Sequence, residues 1–176
     1  WAQLSGRPVA RPRRADLPLV LVLGATVVFA YNLFFLYGVR HSTAADGSVL
    51  VPGLIPVATA LLAWAVRGER PRRRSQIGLA VAFAGLLLVA SPAGEVGSDR
   101  VLGDVLFVGA AISWSVYTLA GRSAIARYGS VSANVYATAA GTLLLLPLTF
   151  VDGGWSPLVH APAGALAGIA YLAVIG

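Results

Sequence analysis

Long apolar stretches alternate with short charged segments along this chain. Charged residues divide it into six uncharged windows, each between 17 and 24 residues long. A helix needs about 20 apolar residues to cross the hydrocarbon core of a bilayer, which is ~30 Å thick. The pattern therefore predicts an all-α integral membrane protein with six transmembrane helices, at residues 17–39, 47–66, 75–94, 105–121, 128–151 and 153–176.

The second window contains two prolines. We expect its helix to be capped by Ser42 and to run through Pro52 and Pro56. Two interior prolines argue against a helix in water, because each removes a backbone hydrogen bond. In a membrane they are tolerated, since neighbouring helices and side chains satisfy the freed carbonyls. The prolines therefore favour a membrane helix with an irregular backbone.

One face of this second helix combines small residues with an acid. Asp46, Gly53, Pro56 and Ala60 follow one another at spacings of seven, three and four, which places them on the same side of a helix. This spacing predicts a narrow face that carries a carboxylate near its start.

Composition narrows the class further. The chain is 57% hydrophobic and 11% charged, whereas soluble domains carry about 25% charged residues. The net charge of +6 is due to arginines that lie between apolar windows, so we expect no nucleic-acid partner. The chain has no cysteine, phosphate-binding loop or carboxylate cluster, so we predict no enzyme activity, catalytic residue, metal or cofactor.

The arginines alternate between successive loops. Eleven of the thirteen fall before the first window, after the second or after the fourth, namely Arg7, Arg11, Arg13, Arg14, Arg67, Arg70, Arg72, Arg73, Arg74, Arg122 and Arg127. Only Arg40 and Arg100 fall in the other loops. Because Arg-rich loops stay in the cytoplasm, the pattern predicts that these eleven are cytoplasmic and that residues 95–100 face outward.

A short internal echo links the first and last windows. Pro18 precedes Gly24 by six residues, and Pro162 precedes Gly168 by six residues, at an offset of 144. The offset steps over five spans, so the second copy would be inverted, as in many secondary transporters. A match this short is also explained by chance, so it does not by itself establish an inverted repeat.

Several short motifs resemble one family across nearly the whole chain. They are Tyr37-Gly38-Val39-Arg40-His41-Ser42-Thr43-Ala44-Ala45, Pro56, Gly68-Glu69-Arg70, Gln76-Ile77-Gly78, Gly85-Leu86-Leu87, and Gly103-Asp104 followed by Trp114. In order and spacing they are similar to the EamA-type drug/metabolite transporters. The chain departs from that pattern at Gly38, where alanine is commoner, and at Asp46, where most members are apolar.

The resemblance implies ten helices in two inverted five-helix repeats. By that comparison the chain is a piece of a longer polypeptide, running from the loop before the third helix to part of the eighth. Residues 1–94 would supply the last three helices of the first repeat, with the cytoplasmic loop before them. Residues 95–176 would supply the first part of the second repeat.

Six polar, aromatic or proline residues are candidates for a substrate cavity. They are Tyr31, Asn32, Asp46, Pro56, Trp114 and Tyr117. Tyr31, Asn32 and Trp114 lie near the midpoints of their windows, where packing between helices explains them as well as cavity lining does. Asp46 is either an acid favoured by the start of a helix or a proton or cation site at the mouth of a cavity.

These features predict a multi-pass inner-membrane transporter of small organic metabolites or drugs that works by alternating access. Its partners would be a small solute, membrane lipid and a coupling proton or cation, and a homodimer is left open. The alternatives are a non-transporting helical scaffold subunit or an inactive fragment of a transporter. A membrane-embedded enzyme is a third alternative.

Overall fold

A computed structural model describes residues 12–68, 71–90, 97–151 and 161–175. All regular secondary structure within these ranges is helical, which confirms the predicted all-α class. The helices are α1 (Arg14–His41), α2 (Ala44–Arg67), α3 (Arg73–Ala90), α4 (Ser98–Val151) and α5 (Ala163–Ile175).

Helix α1 changes its winding along its length. A 3₁₀ turn at Arg14–Asp16 leads into α-helix at Leu17–Gly24, π-helix at Ala25–Ala30 and α-helix again at Tyr31–His41. Two side chains bond to backbone carbonyls beside or within the π segment. Thr26 Oγ1 donates to Val22 O at 2.7 Å, and Asn32 Nδ2 donates to Val28 O at 2.6 Å. Wide π turns of this kind are often found at functional sites.

Helix α2 is continuous through Pro52 and Pro56, as predicted for a membrane helix. Its N-cap is Thr43, whose hydroxyl accepts from the Asp46 N–H at 3.0 Å, so the expectation that Ser42 caps it is wrong. Both residues have extended backbone, but the Ser42 hydroxyl lies against the carboxylates of Asp46 and Asp104 and does not bond a backbone N–H of the first turn. The helix ends at Gly68, whose φ of 67° favours glycine.

Helix α4 is broken at Gly129. Its 54 residues would extend ~80 Å at ~1.5 Å per residue if the helix were straight. Gly129 has φ 78° and ψ 162°, a conformation that glycine adopts readily, so the helix axis turns there. Beyond the turn, Ala133 and Ala137 are buried in the same cluster as Ala124, which precedes it. The second half of α4 therefore folds back toward the first.

Three helical stretches are long and apolar enough to cross a membrane. They are Arg14–His41, Ala44–Arg67 and Ser98–Leu148 in the described part of the chain. The third contains the fourth predicted window and most of the fifth, on either side of Gly129. Helices α3 and α5 coincide with parts of the remaining windows. The predicted count of six spans stays a prediction.

Glycines allow α4 to approach α1 and α2 closely. A Cβ atom on Gly24 of α1 would lie 2.6 Å from the Gly141 nitrogen of α4. Near the other end of α1, Cβ atoms on Gly38 and Gly47 would each lie 2.7 Å from the ring of Phe107, which is fully buried. Close helix contact through small residues is typical of membrane bundles. Helix α3 packs on the outside, where Leu86 touches Gly53 of α2.

The arginine pattern separates the two ends of this bundle. At one end Asp16 bonds to Arg127, and Arg67 Nη2 donates to a backbone carbonyl of α4 at 2.8 Å. At the other end Arg100 lies 3.4 Å from Asp46. We call these the Arg-rich end and the Asp46 end. Three further arginines of the predicted cytoplasmic set, Arg7, Arg11 and Arg70, lie outside the described residues.

Candidate functional site

A line of aromatic rings runs along the contact between α1 and α4. The Tyr31 ring lies 5.2 Å from Trp114 and 5.9 Å from Phe35, measured between centroids. Phe35 lies 5.7 Å from Phe107, and Trp114 lies 6.0 Å from Tyr117. Aromatic pairs at these distances contribute about 0.5–1.5 kcal/mol each beyond the area they bury. The structure therefore brings three sequence candidates, Tyr31, Trp114 and Tyr117, into one continuous wall.

Polar atoms lie at one end of this aromatic wall. The Tyr117 hydroxyl donates to Asn134 Oδ1 at 2.5 Å, which joins the two halves of α4. Tyr31 and Trp114 are partly exposed, so their rings are not sealed in the core. The wall offers ring faces for stacking and a phenol–amide pair for hydrogen bonding.

Asn32 and Pro56 lie apart from the ring contacts. The Asn32 amide donates a hydrogen bond to the Val28 carbonyl of its own helix, which lies within the π segment. Pro56 is exposed on α2 and is the neighbour of Ile55, whose carbonyl lies 3.2 Å from the hydroxyl of Ser115.

Asp46 lies at the end of the bundle that bears its name. One of its oxygens accepts from Ser42 Oγ at 3.1 Å, and the Arg100 guanidinium lies 3.4 Å away. The Ser42 hydroxyl is also 3.3 Å from Asp104 Oδ1, so it links carboxylates of α2 and α4. The Asp46 side chain is 19% exposed and already has a cationic partner in this conformation.

A partly buried pair of hydroxyls connects α2 to α4. Ser115 is fully buried and lies 3.0 Å from Thr59 Oγ1 and 2.8 Å from the Ala111 carbonyl. The Ser115 hydroxyl has one proton, so it donates to a carbonyl while it accepts from Thr59. Sequence reasoning missed this pair, although two hydroxyls inside apolar windows are a usable signal for interhelical bonding.

Sequence reasoning also missed a polar cluster at the Arg-rich end. Asp16 is 6% exposed and accepts hydrogen bonds from Arg127 and Tyr128. Beside it is a cavity of about 340 Å³, which these three residues line together with Arg13. The window pattern treated Asp16 as the charged boundary of the first span, which gave no reason to look for its partner 111 residues away.

Two larger cavities border α2, and both are mainly apolar. One, of about 560 Å³, is bordered by α2 and α3, and one of about 470 Å³ also reaches α4. In the described ranges, no buried side-chain nitrogen or oxygen lacks a hydrogen-bond partner. The same ranges hold no group of three or more His, Cys, Asp or Glu side chains arranged to bind a metal.

The sequence profile of the EamA-like transporter family matches residues 1–91 and 101–176. A probable terminal-alkyne amino-acid exporter of Streptantibioticus cattleyicolor is 35% identical over 95% of this chain and 54% of its own length. An uncharacterized transporter of Archaeoglobus fulgidus is 29% identical, over 96% of the chain and 58% of its own length. The uncharacterized transporter YdeK of Bacillus subtilis is 31% identical, over 93% and 55%.

The chain spans about half the length of these curated relatives. No solved structure matches it.

Proposed function

Since the chain belongs to the EamA-like transporter family, we propose that it forms part of an inner-membrane transporter that moves small organic solutes by alternating access. The relative from Streptantibioticus cattleyicolor is named as an amino-acid exporter, which favours export of a small, amino-acid-like metabolite. Membrane lipid surrounds the bundle, and the solute binds between helices.

The aromatic wall between α1 and α4 is the observation that carries this proposal. Tryptophan concentrates at membrane interfaces, yet Trp114 lies near the middle of its span and packs against Tyr31 and Tyr117. Ring faces with a phenol–amide pair beside them suit a flat or amphipathic solute. The adjacent π segment of α1, at Ala25–Ala30, is a kind of winding that is frequent at functional sites.

Six membrane crossings from two inverted repeats form the architecture that we propose. The two halves of α4 each cross once, and α3 and α5 belong to the third and sixth spans. The first repeat unit is residues 1–94 and the second is residues 95–176. The gap between the two family matches, at residues 92–100, supports a boundary at this place.

Substituting Trp114 in the full-length gene product tests the cavity role. We expect Trp114→Ala to reach normal membrane abundance while it changes the relative flux of amino-acid-like and aromatic solutes in vesicles by about tenfold, the effect of ~1.4 kcal/mol in binding. The matched control is Trp64→Ala, because Trp64 is 52% exposed on α2 and outside the aromatic wall.

If wild type, Trp114→Ala and Trp64→Ala have equal flux profiles at equal abundance, the aromatic wall does not contact the transported solute. Asp46→Asn separately tests coupling: a changed pH profile of flux supports a proton site, and an unchanged profile assigns Asp46 to its ion pair with Arg100.

A non-transporting scaffold is the second candidate. It is favoured by the complete pairing of buried polar side-chain atoms in the described ranges, and by Asn32, which bonds its own helix. In that case Trp114→Ala and Asn32→Ala would lower abundance and thermal stability together. Blue-native gels would then show a changed partner profile for the variants while flux stays unchanged.

A further inference from the structure

Asp16 is a carboxylate in the first turn of α1, with only 7% of its side chain exposed. Burying a carboxylate is costly unless it is paired and hydrogen-bonded. Here Arg127 bonds one carboxylate oxygen and the Tyr128 hydroxyl donates to the other. All three side chains belong to the contact between α1 and α4.

The partners of Asp16 are the two residues directly before Gly129, where α4 changes direction. Apart from the adjoining chain itself, no heavy atom lies within 4 Å of the Cβ position at Gly129, so open space borders the turn on that side. Arg127 is 58% exposed, which leaves its guanidinium free to exchange the carboxylate for water. The buried acid is thus held by residues at the pivot of α4.

Next to this cluster, α1 meets α4 through an alanine layer, whose buried members are three alanines and Leu23 and against which Leu19, Val27 and Tyr117 pack. Leu23, Ala124 and Ala137 are each 1% exposed, and Ala133 is 6% exposed. Because burial contributes about 25 cal/mol per Å², alanine contacts are weaker than contacts between large side chains. Separating this layer would therefore cost less than separating the Phe107 layer at the Asp46 end.

We propose that Asp16, Arg127 and Tyr128 form a latch that closes the Arg-rich end of the α1–α4 contact and opens during the transport cycle. The inference rests on the proposed function, because alternating access requires each end to open in turn. Opening moves Arg127 and Tyr128 away from Asp16 about Gly129 and exposes the alanine layer. The 340 Å³ cavity beside Asp16 provides space for water to replace the broken bonds.

Thiol accessibility tests the latch without a transport assay. A single cysteine replaces Ala124 in the full-length protein, with any cysteines elsewhere in that protein replaced first. Membrane fragments open to both sides are then treated with a maleimide. We expect Asp16→Asn to raise the labelling rate of Ala124→Cys at least fivefold, because the neutral amide no longer holds the guanidinium.

Two controls separate a latch from general loosening. Ala110→Cys reports on the Asp46 end, where Ala110 is fully buried against Leu50 and Phe107, and its labelling stays low if only the latch opens. Exchanging the charges, as Asp16→Arg with Arg127→Asp, is expected to restore protection of Ala124→Cys. Unchanged labelling of Ala124→Cys in Asp16→Asn, or equal increases at both reporters, would overturn the latch.

A cross-link distinguishes a moving latch from a permanent clamp. Asp16→Cys with Tyr128→Cys is joined by a bis-maleimide, and solute flux is compared with that of the unlinked protein. The latch predicts that flux stops when the two residues are linked. Full flux through the linked protein would overturn the latch. If instead Asp16→Asn raises the labelling of Ala124→Cys but the protein moves none of the solutes tested, that result would count against the transport function alone.

Discussion

Each end of the helix bundle has an ion pair to α4, made by Asp16 of α1 at the Arg-rich end and by Asp46 of α2 at the other end, and the two pairs differ in their surroundings. At the Arg-rich end the Asp16 side chain is 7% exposed and bonds Arg127 and Tyr128 directly. At the Asp46 end the carboxylate is 19% exposed and lies 3.4 Å from Arg100.

The apolar packing beside the two ion pairs also differs: the end with the more buried carboxylate has the smaller apolar side chains. Next to the Arg-rich pair lies an alanine layer, whereas the Asp46 end contains Phe107 between two glycines. Exposed ion pairs contribute about 0–1 kcal/mol, so the Asp46 end depends on its apolar packing. The Arg-rich end depends more on a polar contact, which a conformational change can exchange for water, and most of the buried residues beside that contact are alanines.

Membrane sidedness gives the largest expected difference between the two ends, because labelling is all or none. In intact cells an impermeant maleimide should label Ser98→Cys, near the Asp46 end, and spare Ser75→Cys, near the Arg-rich end. Both serines are exposed in the structure. The expectation follows from the arginine bias toward the cytoplasm. Labelling of Ser75→Cys with protection of Ser98→Cys would show that the orientation is reversed.

Removing Phe107 should cause the next largest effect. Phe107→Ala creates a cavity between α1, α2 and α4, which typically costs about 3–5 kcal/mol for a buried aromatic side chain. Val108→Ala is the matched control, because Val108 is 42% exposed one residue away. Thermal unfolding of the full-length protein in detergent measures both. Equal melting temperatures would show that packing is not what holds the Asp46 end.

The smallest difference compares the two arginines directly. Arg127→Gln removes one of the two side-chain donors to the Asp16 carboxylate and should lower the melting temperature. Arg100→Gln should lower it less, because the Asp46 carboxylate is more exposed than Asp16 and lies 3.4 Å from Arg100. The same thermal assay applies to both variants. A larger loss for Arg100→Gln would invert the proposed ranking of the two pairs.

Local sequence pattern was sufficient for the all-helical class and for the separation of Arg67 and Arg127 from Arg100. Hydropathy sets which stretches are apolar, and this property depends on neighbouring residues alone. The continuity of α2 through Pro52 and Pro56 followed from the same reasoning. Its N-cap did not, because Ser42 and Thr43 are both capping residue types with extended backbone, and only the hydrogen bond from the Asp46 N–H to the Thr43 hydroxyl separates them.

The sequence by itself determined an all-helical membrane chain, its arginine-rich end and three residues of its aromatic wall. Only the tertiary structure decided that Tyr31 meets Trp114, that Asn32 turns back to its own helix, and that Asp16 meets Arg127. Such pairs depend on how each helix is rotated and crossed. Those angles are set by close contacts such as Gly24 against Gly141, between residues more than 100 positions apart.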